Sequence, residues 1–290
     1  MKKFIWGFIL LWSFGILLAK ENKFPKSVSK ALDKAVKGEL ARDDLKVNFV
    51  KDLYYPAQGG AIYFVQFMKA EIPAIEEGKP AHIFLRLYDK KGKKVEDLYA
   101  PIDSVSEVYT LPISFLPGKY KVAVLLATND FKQYSVKVRE IDGENLLDFR
   151  KLSTTPIVFL KGMEKLPEPI TEFRVYHGEF PLGLYMVKPY LEEKLRVGDT
   201  PAVFFFILGA QAQKPANTYN IVITYLIKKD GQEVTKFPKQ QLTYSVVYQP
   251  IPLKSHGLPL EPGNYELHIK IQDMNAREGI EKVVPFEIIQ

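Results

Sequence analysis

No cysteine occurs in the 290 residues of this chain. That absence excludes disulfides, a thiolate nucleophile, cysteine-ligated metal sites and a lipid-modified lipobox cysteine. Histidine is almost as scarce, with 4 residues. No two are spaced as a ligand pair, and His-Glu-x-x-His is missing, so no zinc site is expected. His177 and His256 each precede a glycine and read as turn residues, and His82 falls in a predicted strand. His268 alternates with the apolar Leu267 and Ile269 and is expected to face solvent. A Gly-x-Ser-x-Gly elbow, a Walker A loop and a Gly-x-Gly-x-x-Gly fingerprint are also lacking.

Acidic pairs do occur, at Asp43-Asp44, Glu76-Glu77 and Glu192-Glu193. Adjacent carboxylates point apart on regular backbone, whereas the acid pair of a glycosidase normally comes from separate elements. All three read as solvated loop charges. Asp273 with Asn275, and Asn129-Asp130 near the matching place upstream, supply too few oxygens for calcium, which needs about six to eight. A loop-end turn is the expected role of both. Neither catalytic residues nor a cofactor or metal is therefore expected, and the chain reads as a non-enzyme. The formal net charge of +6 is modest, and its lysine clusters (Lys90, Lys91, Lys93, Lys94; Lys228, Lys229) sit on turns rather than in a stripe. Nucleic acid is not an expected partner.

What is present begins with an address. Met1-Lys2-Lys3 is a basic start, Phe4 to Leu18 is almost wholly apolar, and Ala19-Lys20-Glu21-Asn22 comes next. Residues 1–19 read as a secretory signal peptide, which places the protein in the periplasm or outside the cell. An uncleaved anchor, with membrane contact through that segment alone, is the other reading. Over 20–44, the positions Val28, Ala31, Leu32, Ala35, Val36 and Leu40 make one helical stripe, with Ser27 as its expected N-cap. That helix is expected to dock on the module immediately downstream of it.

From Leu45 the period changes to two, and the pattern then occurs twice. Ile62 to Phe67 aligns with Ala202 to Ile207, and Ile83 to Leu87 aligns with Val222 to Leu226. Pro117-Gly118-Lys119-Tyr120 aligns with Pro262-Gly263-Asn264-Tyr265. Strands are predicted near 45–49, 61–69, 81–88, 107–115, 119–127 and 133–141, then near 172–177, 184–188, 202–209, 219–227, 241–248, 264–272 and 281–288. Three matches in one order imply a tandem duplication of a module of ordinary domain size. The expected fold is all-β: two tandem immunoglobulin-like antiparallel β-sandwiches, over 45–142 and 169–290, behind the short helix. Residues 143–168 read as a structured connector, because the apolar run Ile157 to Leu160 must be buried somewhere. Phe204-Phe205-Phe206-Ile207-Leu208 is apolar on both strand faces and predicts a strand covered on both sides.

The Leu260, Pro262, Gly263, Tyr265 arrangement resembles the tyrosine corner of immunoglobulin and fibronectin type III sandwiches. Phe115, Pro117, Gly118 and Tyr120 carry the same elements. More loosely, the stretch from Arg196-Val197-Gly198-Asp199 to the end looks like the terminal modules of exported bacterial proteins such as GWxTD-containing ones. The GWxTD motif itself is absent. The resemblance implies a structural role for Tyr120, Tyr265, Gly118 and Gly263, with each hydroxyl bonded to upstream backbone. It speaks to fold and not to function.

A surplus of aromatics in irregular stretches, Tyr54 and Tyr55 with Tyr185 and Tyr190, has two readings. Exposed, they could form a sugar- or peptide-binding platform; buried, they plug the ends of the sandwiches. The expected function is an exported interaction or structural protein presenting its modules to an envelope or extracellular macromolecule. A carbohydrate-binding module that recognises a cell-wall or extracellular glycan is the alternative.

Overall fold

The computed structural model describes residues 24–39, 41–73, 75–214 and 216–290. The expected signal peptide and Leu40 lie outside them. No described helix is long and apolar enough to cross a membrane.

Helix α1 spans Lys26–Val36 and is followed by β1 (Val47–Pro56), β2 (Ile62–Ala70), β3 (Ala81–Asp89), β4 (Lys94–Ile102), β5 (Tyr109–Phe115), β6 (Lys119–Ala127) and β7 (Tyr134–Asp142). They form two antiparallel sheets, in the orders β1-β2-β5 and β4-β3-β6-β7. The period-two pattern explains the packing. Phe64 and Met68 of β2 meet Ile83, Leu85 and Leu87 of β3 and Val122, Val124 and Leu126 of β6 in one buried core. Each fully buried aliphatic or Phe side chain there contributes about 1.5–3 kcal/mol over its exposed state. Strand β4 was not expected. Its first residues are charged and it carries Pro101, yet Leu98, Ala100 and Ile102 alternate into the core.

The outer face of β3 and β6 is apolar as well, and α1 covers it. Phe24, Val28 and Leu32 pack on Phe84, Tyr88, Ala123 and Leu125. Arg86, in the middle of that face, has a side chain only 6% exposed. Its guanidinium holds Asp97 through two bonds of 2.5 and 2.8 Å, donates to Asp33 at 3.0 Å and to Ser29 at 3.1 Å, and so ties the helix to the sheet. The expected Ser27 cap is not used: Pro25 stands at the N-cap position, without a side-chain capping bond. Proline suits a helix start because its missing N–H needs no partner there.

The second half contains β8 (Ser153–Thr154), β9 (Val158–Lys165), β10 (Phe180–Leu182), β11 (Tyr185–Pro189), β12 (Lys194–Arg196), β13 (Ala202–Leu208), β14 (Ile221–Lys229), β15 (Gln232–Lys236), β16 (Gln240–Leu242), β17 (Val246–Pro250), β18 (Lys254–Ser255), β19 (Leu258–Pro259), β20 (Gly263–Asp273) and β21 (Glu278–Ile289). Its sheets run β10-β11-β9-β13-β17, with β8 on β13, and β12-β21-β20-β14-β15, with β16 on β14; β18 and β19 make a small hairpin of their own. Phe205, Ile223, Tyr225, Leu267 and Ile269 share the core between the two large sheets.

Two expectations change. Residues 143–168 are more than a connector, because β9 lies there, in the interior of a sheet between β11 and β13. The strand expected at 172–177 is instead a single bridge, in which Tyr176 exchanges backbone bonds of 2.8 and 3.0 Å with Thr110 of β5.

A third apolar cluster joins the halves. Leu53, Tyr55, Tyr63, Val65 and Phe67 from the back of the β1-β2-β5 sheet pack against Val158, Leu160, Phe180, Phe204 and Phe206. The Phe204–Phe206 run is thereby explained: Phe205 fills the second core, while Phe204 and Phe206 fill the joint.

Candidate functional site

A groove of about 1320 Å³ lies beside that joint. Lys51 and Tyr54 of β1 form one wall; Thr154 and Ile157, and then Lys282 and Pro285 of β21, form the others. Lys51 spans the halves, its ammonium donating to Glu193 at 2.7 Å and to the carbonyls of Leu191 and Tyr190 at 3.2 and 3.4 Å. Its side chain is 17% exposed, so the bond network fixes its position rather than leaving it free to sample solvent. Asp52 beside it is held by Arg139 in a two-pronged pair from β7. The lining therefore mixes both charge signs around a half-buried aromatic ring.

Of the four tyrosines considered for binding, Tyr54 alone lines this groove. It is half-buried, and burial raises its hydroxyl pKa. Tyr55, its neighbour, points to the opposite side of β1 as strand geometry requires, and it is fully buried in the joint. Its ring lies 5.5–5.9 Å from Phe204, Phe206 and Phe180. Tyr185 is half-buried against the joint cluster. Tyr190 packs on the second core, and its hydroxyl donates to Asp199 at 2.9 Å. Burial and Asp199 push the Tyr190 pKa up to about 12. Packed on three different clusters, the four rings do not make one exposed platform.

The structural tyrosines do come out as a pair. Tyr120 donates to the Leu116 carbonyl at 2.9 Å and Tyr265 to the Glu261 carbonyl at 2.8 Å, four residues upstream in both cases. Tyr265 is buried at 4% exposure, whereas Tyr120 is only half-buried. Gly118 leaves room for its tyrosine, since a Cβ there would meet the Tyr120 hydroxyl at 3.0 Å. Gly263 has φ +149°, a conformation other residues rarely adopt.

His268 corrects an expectation. It does lie on the face opposite Leu267 and Ile269, but it is 8% exposed because Glu281 and Glu266 bracket the ring at 2.8 and 3.0 Å. His82 is partly buried too, stacked on Phe131 with ring centroids 5.0 Å apart. Asp273 is buried and its carboxylate accepts from the backbone N–H of Gln211, Asn275 and Ala276, at 2.6, 2.9 and 3.3 Å. Asp130 likewise accepts from Lys132 N–H at 3.1 Å and from the Thr128 hydroxyl at 2.9 Å, and these bonds lower its pKa to about 2. Both acids thus close turns. No group of three or more His, Cys, Asp or Glu placed to hold a metal occurs among the described residues.

Reading by periodicity missed the Arg86–Asp97–Asp33 network, although a charge within Ile83-Phe84-Leu85-Arg86-Leu87 was its signal. A charged residue in a strand covered on both faces needs a partner.

The sheets and their shared cores define an all-β, sandwich-like protein, with one helix among the described residues. No known protein family matches the chain, and no curated protein does. Among solved structures, trypsin-activated alpha-2-macroglobulin from Escherichia coli is similar over 86% of this chain and 17% of its own, at 10% identity and a TM-score of 0.23. A likeness of that size carries no argument about function.

Proposed function

We propose that the chain is an exported, non-enzymatic interaction protein whose two halves are tandem immunoglobulin-like sandwiches copied from one module. Matching strand orders support the duplication. β3 lies between β4 and β6 as β14 lies between β15 and β20, while β2 lies between β1 and β5 as β13 lies between β9 and β17. The two tyrosine–carbonyl bonds support it independently.

The observation that carries the functional reading is the groove at the joint, built by both halves and held in one shape by the apolar cluster beside it. A wide, open, mixed-charge surface suits a segment of a macromolecule better than a small molecule, whose sites are enclosed and mostly apolar. The partner proposed is a protein of the envelope or the exterior. The glycan reading rested on Tyr54, Tyr55, Tyr185 and Tyr190, whose rings pack on three separate clusters.

Cross-linking in intact cells followed by affinity capture of the full chain tests the reading. One reproducible protein partner is expected, and the double variant K282E/K228E at the groove should lose it. Recovery of monomer alone, or equal capture by the variant, would sink the proposal.

A further inference from the structure

Edge strands must avoid pairing with other chains, and among the described residues the edges of the four larger sheets, β17 apart, show how they do so. β4 carries Lys94, Glu96, Asp97 and Pro101. β5 carries Pro112, and its backbone is engaged by Tyr176. β1 bears Lys51 and Asp52 beside a bulge, and β7 bears Lys137, Arg139 and Glu140. β10 is three residues long with Pro181 at its centre, and β12 and β15 carry charges. The length of β21 beyond its short pairing with β12 holds Glu281, Lys282 and Pro285. These are the usual devices that keep edges from joining.

β17 has none of them. It pairs with β13 on one side, and among the described residues no strand pairs with it on the other. No charged residue lies between Lys239 and Lys254, and the only proline in β17 is its last residue, Pro250. The rungs Ile207 N–H to Ser245 (2.7 Å) and Ile251 N–H to Pro201 (2.8 Å) set the phase of the ladder. Ser245, Val247 and Gln249 therefore bond β13, and Val246 and Tyr248 turn their N–H and C=O outward. Beside that edge lies a recess of about 310 Å³, rimmed by Leu242, Tyr244, Val246 and Tyr248. Tyr244 is 50% and Tyr248 45% exposed.

We propose that β17 is a homotypic docking edge, where a second copy of this chain adds its own β17 antiparallel and joins two sheets into one. Self-complementarity selects this occupant. Centred on Val247, the two-fold pairing sets Val246 against Tyr248 of the copy and Tyr248 against Val246. All four outward N–H groups and all four outward carbonyls are then paired. Tyr244 falls opposite Pro250, which lacks an N–H but still offers its carbonyl to the Tyr244 N–H. A neutral strand can pair with itself without like-charge repulsion, which would oppose self-pairing of the charged edges. The β5 edge, which occupies the corresponding end of its sheet in the first half, is closed to such pairing by Pro112 and Tyr176.

The test uses the purified protein in sedimentation equilibrium from about 1 to 100 µM, because dimerisation follows mass action. A mass twice that of the monomer is expected, falling to the monomer mass in Y248K, whose melting curve should match that of wild type diluted to monomer. V283K, at an exposed site on β21, should remain dimeric. V247C supplies an independent readout. The chain has no other cysteine, and Val247 is buried at 2% exposure. The thiol should meet its twin across the axis, at the close separation of a non-hydrogen-bonded pair, and oxidation should yield covalent dimer. A wild type that stays monomeric throughout would overturn the proposal. So would a dimer that survives Y248K, or V247C that gives no covalent dimer.

Discussion

Tyr55 offers the sharpest test of how the two halves are joined. Its ring is fully buried and touches Phe180, Phe204 and Phe206, all from the second half, while its backbone belongs to β1 of the first. Its hydroxyl is buried with no hydrogen-bond partner, and that burial raises its pKa far above the usual tyrosine value. Ring and hydroxyl should therefore act with opposite sign. Tyr55→Ala removes a core aromatic and should cost about 3–5 kcal/mol. Tyr55→Phe removes only an unpaired polar atom, whose burial costs about 1–3 kcal/mol, so it should leave stability unchanged or raise it by up to that much. The loss in Tyr55→Ala falls on the joint, so unfolding should separate into two transitions where the wild type shows one. Guanidinium unfolding followed by circular dichroism and tyrosine fluorescence is the assay. Both tryptophans, Trp6 and Trp12, precede residue 20 and would leave with a signal peptide. If Tyr55→Phe lowered stability by more than about 1 kcal/mol, the hydroxyl would have a partner and the reasoning would fail. A cost below about 1 kcal/mol for Tyr55→Ala would equally remove the ring from its role in the joint.

Other consequences arise from the same geometry. Tyr265→Phe should cost about 0.5–1.5 kcal/mol, and Tyr120→Phe should fall at the low end of that range because its bond is partly exposed to water; urea unfolding measures both. Asp97→Ala leaves the Arg86 charge on a covered face with Asp33 as its remaining carboxylate, so it should cost less than the ~3–5 kcal/mol of a fully stranded charge and expose α1 to limited proteolysis. Glu96, on the core-facing side of β4, has its pKa raised to about 7 by burial and then by Asp97. Its charged form is thus disfavoured in the fold. Below the unfolded value near 4.5 the group costs nothing, and its penalty grows as pH rises through 7. Stability relative to Glu96→Gln should therefore fall between those values and then level off, and thermal melts across that range would show a flat difference if Glu96 were freely solvated.

The strands that were legible in the sequence are those whose two faces have clearly different fates. β2, β3 and β6 alternate or run apolar throughout because a core lies on one side and a second cover on the other. β4 was illegible for the converse reason. As an edge it carries the charges and proline that suppress unwanted pairing, and those residues argue against a strand when read alone. β9 was hidden because only Val158, Phe159 and Leu160 of its residues are fully buried, while the residues after them pair with β11 half-buried or exposed.

The side of β1 on which Tyr55 lies is set by a single residue of backbone. Val47 and Phe49 alternate toward the first core, and continuing that count through Lys51 and Leu53 would bring Tyr55 to the same side. A bulge between Phe49 and Lys51 intervenes, leaving Val50 43% exposed and opposite no partner on β2. The extra residue reverses the parity of everything after it. Leu53 and Tyr55 thus turn to the joint, while Tyr54 turns toward the first core and the groove. Periodicity tells how many faces a strand must bury, but one inserted residue decides which face meets which neighbour. The same bulge places Lys51 where it can reach Glu193, so the irregularity that reverses the count also helps to build the groove.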